Sequence, residues 1–415
     1  MDEIEWWVGF DWASEKHRAC LVDAGSRVVG ERDVPHGGDG LAEFCAWLLE
    51  KTGAPPAHIA VAIETPRGPV VEGLLERGFQ VYAINPKQLD RFRDRFSVAG
   101  AKDDRRDAYV LGTCLRTDAW AFRLLKLDDP VIIELREWSR LRQELQEERQ
   151  RLTNRMREQL WRYFSQALDL TDDLGAEWFL ALWQQAPTPA KAARLRAATV
   201  ERLLKAHRVR RLTGAEALDI LRRTPLTVAP GTVEAASAHI HTLVARLRLV
   251  NSQLQHAHRR LNELCAQLEQ SEGEPGQSCE QRDVEILRSL PGLGRIILAA
   301  LLAEACEPLR QRDYHALRTL CGVAPVTKSS GKSRIVIRRL ARDRRLAETL
   351  YQWARCAIQR DPTSKRRYAE LRQRGHGHAR ALRTVADRLL FLACILLRRQ
   401  TPFDPHYNGA TQIAA

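Results

Sequence analysis

The sequence predicts an α/β domain followed by a mainly helical remainder, and three observations carry that expectation. From Glu5 to about Arg123, short runs rich in valine, isoleucine and aromatics alternate with amphipathic stretches. From about Pro130 the apolar residues recur every three or four positions, the period of a helix with one buried side. A polar stretch with glycine and proline, SEGEPGQSCEQ at 271–281, then marks a linker. A chain of 415 residues exceeds one ordinary core, and the expected domains are 1–124, 125–275 with a helical insertion at about 170–230, and 280–408.

WWVGFDW, HRACLVDA and RVVGERDV read as three consecutive strands, GLAEFCAWLLEK as a helix and HIAVAIET as a fourth strand. VVEGLLERG then reads as a helix and QVYAINP as a further strand, giving a mixed sheet. In the first long helix Leu135, Trp138, Leu141, Leu145, Leu152, Met156 and Leu160 fall on one side. In the second, Ile240, Leu243, Leu247, Val250, Leu254, Ala257, Leu261, Leu264 and Leu268 alternate steps of three and four, a coiled-coil seam. The two helices pair with each other or with another subunit. Between them, APTPA, LTGAE and RTPLTVAPG break residues 170–230 into short helices. DVEILRSLPGLGRIILAALLAEA reads helix, tight turn, helix, with Gly292 and Gly294 at the turn. A hairpin of this kind presents backbone N–H groups to a phosphate, or else serves as a tight connection between packed helices.

Lysine and arginine total 65 against 52 acids, a formal charge of +13 with a pI near 9.6, and the arginines gather toward the C-terminal half. A nucleic-acid partner follows. Nine scattered cysteines with no C-x-x-C pair read as reduced thiols. The histidine pairs 239/241, 256/258 and 376/378 diverge on a helix and read as surface residues, not a zinc site. The longest apolar run, LLFLACILL, is too short for a bilayer, and no basic leader precedes the first strand, so a cytoplasmic protein without membrane contact is expected.

Asp11 follows WWVGF and Glu64 follows IAVAI, each at a strand end where a side chain leaves the core. Asp104 and Asp107 are three apart in AKDDRRDAY, on one face of a helix. Four carboxylates suit a hard ion, Mg²⁺ or Mn²⁺, and phosphodiester cleavage uses that inventory. An exposed helix with internal ion pairs would read the same way. The order of elements, with an acid on the first of three opening strands, a second on the fourth and a helical pair later, is the layout of an RNase H-like nuclease. Lys102, Arg105 and Arg106 then either hold phosphates or shield the carboxylates from one another. In LCGVAPVTKSSGKSRIVIRRLARDRR a serine precedes Gly331 with Lys328 and Lys332 nearby, a setting for a nucleophile toward phosphate or simply a polar turn. The basic run that follows invites a phosphate backbone.

These residues resemble the DEDD transposases of the insertion sequence 110 family, recombinases of bacterial mobile elements. One block runs from VGFDWASEKHRACLVD through VAIETPRGPVVEGLLERGFQVYAINPKQLDRFRDRF to AKDDRRDAYVLG, similar to the family's RuvC-like nuclease domain. The other runs from LRSLPGLGRIILAALLAE through LCGVAPVTKSSGKSR to RALRTVADRLLFLACILLRR and FDPHY, similar to its C-terminal transposase domain with a helix-hairpin-helix. The resemblance implies that Asp11, Glu64, Asp104 and Asp107 bind metal, and that Ser330, or failing it Ser329, attacks DNA to give a phosphoserine link. It also implies a structured guide RNA pairing with target and donor DNA, and dimers joined by the coiled coil into a tetramer. Arg334, Arg338, Arg339, Arg342 and the PGLG hairpin would grip backbones without reading bases. Asp103 stands where the family usually has a threonine. Two rivals share these residues: a RuvC-like endonuclease that uses water, and a non-enzymatic nucleic-acid scaffold.

Overall fold

The computed structural model describes residues 4–96, 103–126, 129–270, 278–331 and 333–404, which form two compact units, Met1–Asp129 and Pro130–Ala415. In the first unit, β1 (Trp6–Asp11), β2 (Lys16–Val22) and β3 (Val28–Pro35) form an antiparallel meander, followed by helix α1 (Gly38–Thr52). β4 (Ile59–Ile63) pairs parallel with β1 and β5 (Gln80–Ala83) parallel with β4, with α2 (Pro69–Glu76) between them. After α3 (Pro86–Phe96) and α4 (Asp104–Thr117), a two-residue β6 (Arg123–Leu124), not foreseen in the sequence, closes the order β3-β2-β1-β4-β5-β6.

The sequence of β4, IAVAI, explains how the sheet is covered. All five residues are buried, as in a parallel strand with helices on both faces. Ile59, Val61 and Ile63 join Val8 and Phe10 under α1 and α2, whose Phe44, Leu48, Val70 and Leu74 complete that core. The small Ala60 and Ala62 face the other way and leave room for Val110, Leu111 and Cys114 of α4. This mixed α/β domain fits an RNase H-like layout.

The second unit is mainly helical. Helix α5 (Pro130–Tyr163) and the long helix Thr232–Gln270 run antiparallel, as the pairs Glu134–Arg260, Arg142–His258 and Arg149–Asn251 show. Every residue expected on the seam of the second helix is buried, from Ile240 to Leu268. On α5 one expectation fails: Leu141 is 41% exposed. The phase that carries Leu135, Trp138, Leu145 and Leu152 inward brings in Arg142 and Arg149, so two polar layers interrupt the apolar contact. Four short helices between residues 177 and 221 pack on one end of the pair through Phe179, Leu180, Val200, Leu204 and Leu218.

At the other end, Ile132, Leu135, Leu261 and Leu264 share a core with the C-terminal helices 295–304, 344–360 and 378–399, centred on the fully buried Trp353. The expected middle and C-terminal regions therefore pack as one unit. Residues read as a serine loop form a two-stranded ribbon, β7 (Val326–Ser330) with β8 (Ser333–Ile337). No helix among the described residues is long and apolar enough to cross a membrane.

Candidate active site and nucleic-acid interface

The parallel register of β1 and β4 pairs Phe10 with Ile63, so Asp11 and Glu64 follow at neighbouring strand ends. Gly9 lets α4 reach them. A Cβ there would lie 1.7 Å from the Ala108 carbonyl oxygen and 2.6 Å from the Gly112 nitrogen, so only hydrogen fits between strand and helix. That close approach seats Ala108 and Gly112 of α4 on the sheet, with Asp107 just before them, while Asp104 lies a turn further out and is exposed. Asp103 caps the helix by accepting from the Arg105 N–H.

The four acids differ sharply in surroundings. Asp11 and Glu64 are half-buried and Asp104 is exposed, whereas Asp107 has no exposed surface. Arg93 of α3 holds the Asp107 carboxylate with both arms of its fork, Nε to Oδ1 at 2.6 Å and the second nitrogen to Oδ2 at 2.8 Å. Arg93 also pairs with Asp90. Burial by itself would lower the Arg93 pKa; the hydrogen bond and charge of Asp107, with the charges of Asp90 and Glu64, reverse this and raise it. Glu64 thus lies within electrostatic reach of the same guanidinium. Among the described residues no three His, Cys, Asp or Glu side chains stand close enough together to hold a metal ion. Asp11 and Glu64 stand at neighbouring strand ends and Arg93 joins Glu64 electrostatically to the buried Asp107, but the four acids expected to share one metal site do not converge into a cluster, and Asp104 stays exposed on α4.

Of the cations expected beside the acids, Arg105 pairs with Glu31 at 2.7 Å and Arg106 is half-buried, while Lys102, like Lys332, lies outside the described residues. On the ribbon, Ser330 is opposite Ser333 and Ser329 opposite Arg334. Alternation therefore puts Ser330 on the face of Lys328 and Ile335, and Ser329 on the face of Arg334 and Val336. Both serines are exposed, and Gly331 turns the chain at φ 53° with no neighbouring atom within 4 Å of where a Cβ would sit.

The second unit holds a cleft of about 1310 Å³ lined by arginines from several helices. Arg142, Arg295, Arg338, Arg342, Arg355 and Arg383 line it, and none forms an ion pair with a described carboxylate. Burial lowers the pKa of Arg142. Burial first, and then neighbouring arginines, do the same for Arg342 and Arg383. Uncompensated cations of this kind favour an anion. Arg342 lies across Gly322, where a Cβ would be 2.2 Å from its Cδ. Arg339 donates instead to the Ala324 carbonyl. At the PGLG turn the two glycines differ: a Cβ on Gly292 would meet the Ala357 nitrogen at 2.5 Å, so that residue serves packing, whereas Gly294 faces open space at the helix 295–304 N-terminus.

Sequence reasoning missed Arg93, Arg142 and Arg383. Arg142 had a signal, since it occupies the inward phase between Trp138 and Leu145. His258, expected on the surface, is half-buried and accepts from the Arg142 Nε–H at 3.2 Å. Its pKa is lowered by burial and by Arg142, which favours the neutral ring.

Comparison with known proteins bears on both units. Residues 8–165 match the transposase family DEDD_Tnp_IS110, and residues 284–369 match the Transposase IS116/IS110/IS902 family. A Sinorhizobium fredii protein, y4uE, named as a transposase, is 62% identical over 211 residues, 51% of this chain and 59% of its own length. The mini-circle protein of Streptomyces coelicolor named as the transposase for IS117 is 31% identical over 97% of this chain and 96% of its own. A protein of insertion element IS116 from Streptomyces clavuligerus is 26% identical over 96% of each chain. With the strand order, both family matches and a relative 31% identical over nearly its whole length in agreement, the chain belongs to the IS110 family of transposases.

Proposed function

We propose that this transposase exchanges DNA strands at specific sites through Mg²⁺-dependent acids and a covalent phosphoserine link, guided by a structured RNA. The observation that most supports this reading is the placement of Asp11 and Glu64 at adjacent parallel strand ends, with Ala108 and Gly112 of α4 packed on Gly9 and Asp107 just before them. Oxygen donors suit a hard divalent ion, and the grip of Arg93 on Asp107 indicates that this end of the sheet needs a positive charge. Asp11, Glu64, Asp104 and Asp107 would hold the ion, which when bound stabilises charge on the attacking and leaving oxygens.

The Ser330 Oγ attacks a phosphodiester: the Oγ–P bond forms as the P–O bond to the departing sugar breaks, Oγ gives up its proton, and the leaving sugar oxygen takes up one, so that the step is proton-neutral overall. The ester conserves the bond energy, so rejoining needs no nucleotide. The exposed ribbon gives Oγ free approach, with Lys328 on the same face to steady the developing charge. The cleft arginines hold DNA and guide RNA by their backbones, with sequence choice left to base pairing. Ile335 and Val336, 58% and 61% exposed on the ribbon, offer apolar surface to another protomer, in keeping with a tetramer.

Trapping on nicked substrate tests the proposal. The intact protein is expected to yield a denaturation-resistant DNA adduct that is lost in Ser330→Ala and kept in Ser329→Ala. Undiminished cleavage by Ser330→Ala would identify water as the nucleophile and reject the phosphoserine step.

A further inference from the structure

Arginines half-buried without a counter-ion destabilise a fold, and an arriving anion offsets that strain. In the cleft of the second unit such arginines stand in two tiers. Arg142, Arg342 and Arg383 are half-buried, set back between the helices, whereas Arg295, Arg338 and Arg355 are exposed at the rim. The two acids on the walls, Glu147 and Glu348, are engaged by Gln143 and Gln352 and not by these arginines. Arg383 also lies within electrostatic reach of Arg338, Arg342 and Arg380, so the inner tier repels itself. Tyr351 lines the same cavity, its hydroxyl 3.4 Å from the His378 Nε2 and its ring roughly perpendicular to that of His378.

From this arrangement we propose that the cleft takes a single-stranded stretch of nucleic acid, its phosphates turned inward to Arg142, Arg342 and Arg383 and a base stacked on Tyr351. A duplex is stiff and carries its phosphates on its outside, so it meets the rim but not a tier set back between helices. A single strand bends at every nucleotide, and an aromatic ring in a basic groove gives its unpaired bases a face to stack on. The planar guanidinium fork matches two oxygens of one phosphate, which suits the inner tier to a backbone that enters it. The inference rests on the reading that the cleft holds nucleic acid. It goes beyond that reading in naming the unpaired strand as the form bound, so that a duplex must open before it enters.

Fluorescence anisotropy with the full chain tests it, using one labelled sequence of about 12 nucleotides, within the range of single-strand sites, as single-stranded DNA, single-stranded RNA and duplex DNA at one salt concentration. The inner-tier variant carrying Arg142→Gln and Arg383→Gln is expected to lose about tenfold or more in affinity for the single strands and little for the duplex. Tyr351→Leu is expected to lose about fivefold or more on the same single strands, with the duplex again unaffected. The rim variant carrying Arg295→Gln and Arg355→Gln should weaken all three. Whichever single strand loses more names the sugar that the cleft prefers. Arg383→Gln alone, which relieves like-charge repulsion and leaves no partner unpaired, serves if the double variant does not fold. Equal losses on duplex and single strands in the inner-tier variant would overturn the single-strand inference and leave the cleft a general backbone site. Unchanged binding of all three forms in both the inner-tier and the rim variants would reject the cleft as a nucleic-acid site and the inference with it.

Discussion

Single residues set what this site can do. Gly9 is required because the Ala108 carbonyl lies where any Cβ would be, and Gly9→Ala is expected to push α4 off the sheet at a cost of about 3 kcal/mol, seen as a fall in Tm. Glu304 gives a residue-scale test by pH. Burial by itself would raise its pKa; the hydrogen bond and charge of Arg140, with Arg136 and Arg345 beyond, prevail and lower it below the usual 4.5. A carboxyl depressed on folding adds stability that is present above its unfolded pKa and lost as pH falls through its folded value. Glu304→Gln, which leaves Arg140 only the exposed Glu137 as a counter-ion, is expected to cost about 2 kcal/mol at neutral pH. The Tm gap from the intact protein should close as pH drops below about 4.5. A gap independent of pH would mean the pair adds nothing.

At the scale of elements, the antiparallel helices carry a compromise between packing and function. Arg142 with His258 and Arg149 with Asn251 sit at inward positions where leucines would pack better. Replacing Arg142 and His258 together by leucine is expected to raise stability by about 1 to 3 kcal/mol, as when a buried polar pair gives way to apolar residues. The same change should weaken nucleic-acid binding, because Arg142 lines the cleft. Denaturant melts and fluorescence anisotropy on one preparation read both effects. Stabilisation without loss of binding would confine Arg142 to a structural role. The ribbon shows the opposite economy of contact: two strands with exposed apolar side chains have little stability of their own, which suits an element completed by a partner.

Across the whole molecule, a charge of +13 predicts binding that falls steeply with salt. Neutralising Arg338, Arg342 and Arg383 together is expected to lower the slope of log K against log salt by about 1 for each arginine in contact with phosphate. An unchanged slope in anisotropy titrations would place the backbone elsewhere. By itself the sequence determined the α/β to α transition, the seam from Ile240 to Leu268 and the strand-end positions of Asp11 and Glu64, because alternation and helical period are local consequences of which faces are buried. The motifs that mark the family are likewise local. Only the tertiary structure decided that Leu141 faces water while Arg142 turns inward, that Gly292 serves packing, and that Arg93 closes on Asp107. Ion pairs and arginine clusters join residues far apart in the chain, and their partners are chosen by the mutual orientation of packed helices, which no periodicity in a single segment records.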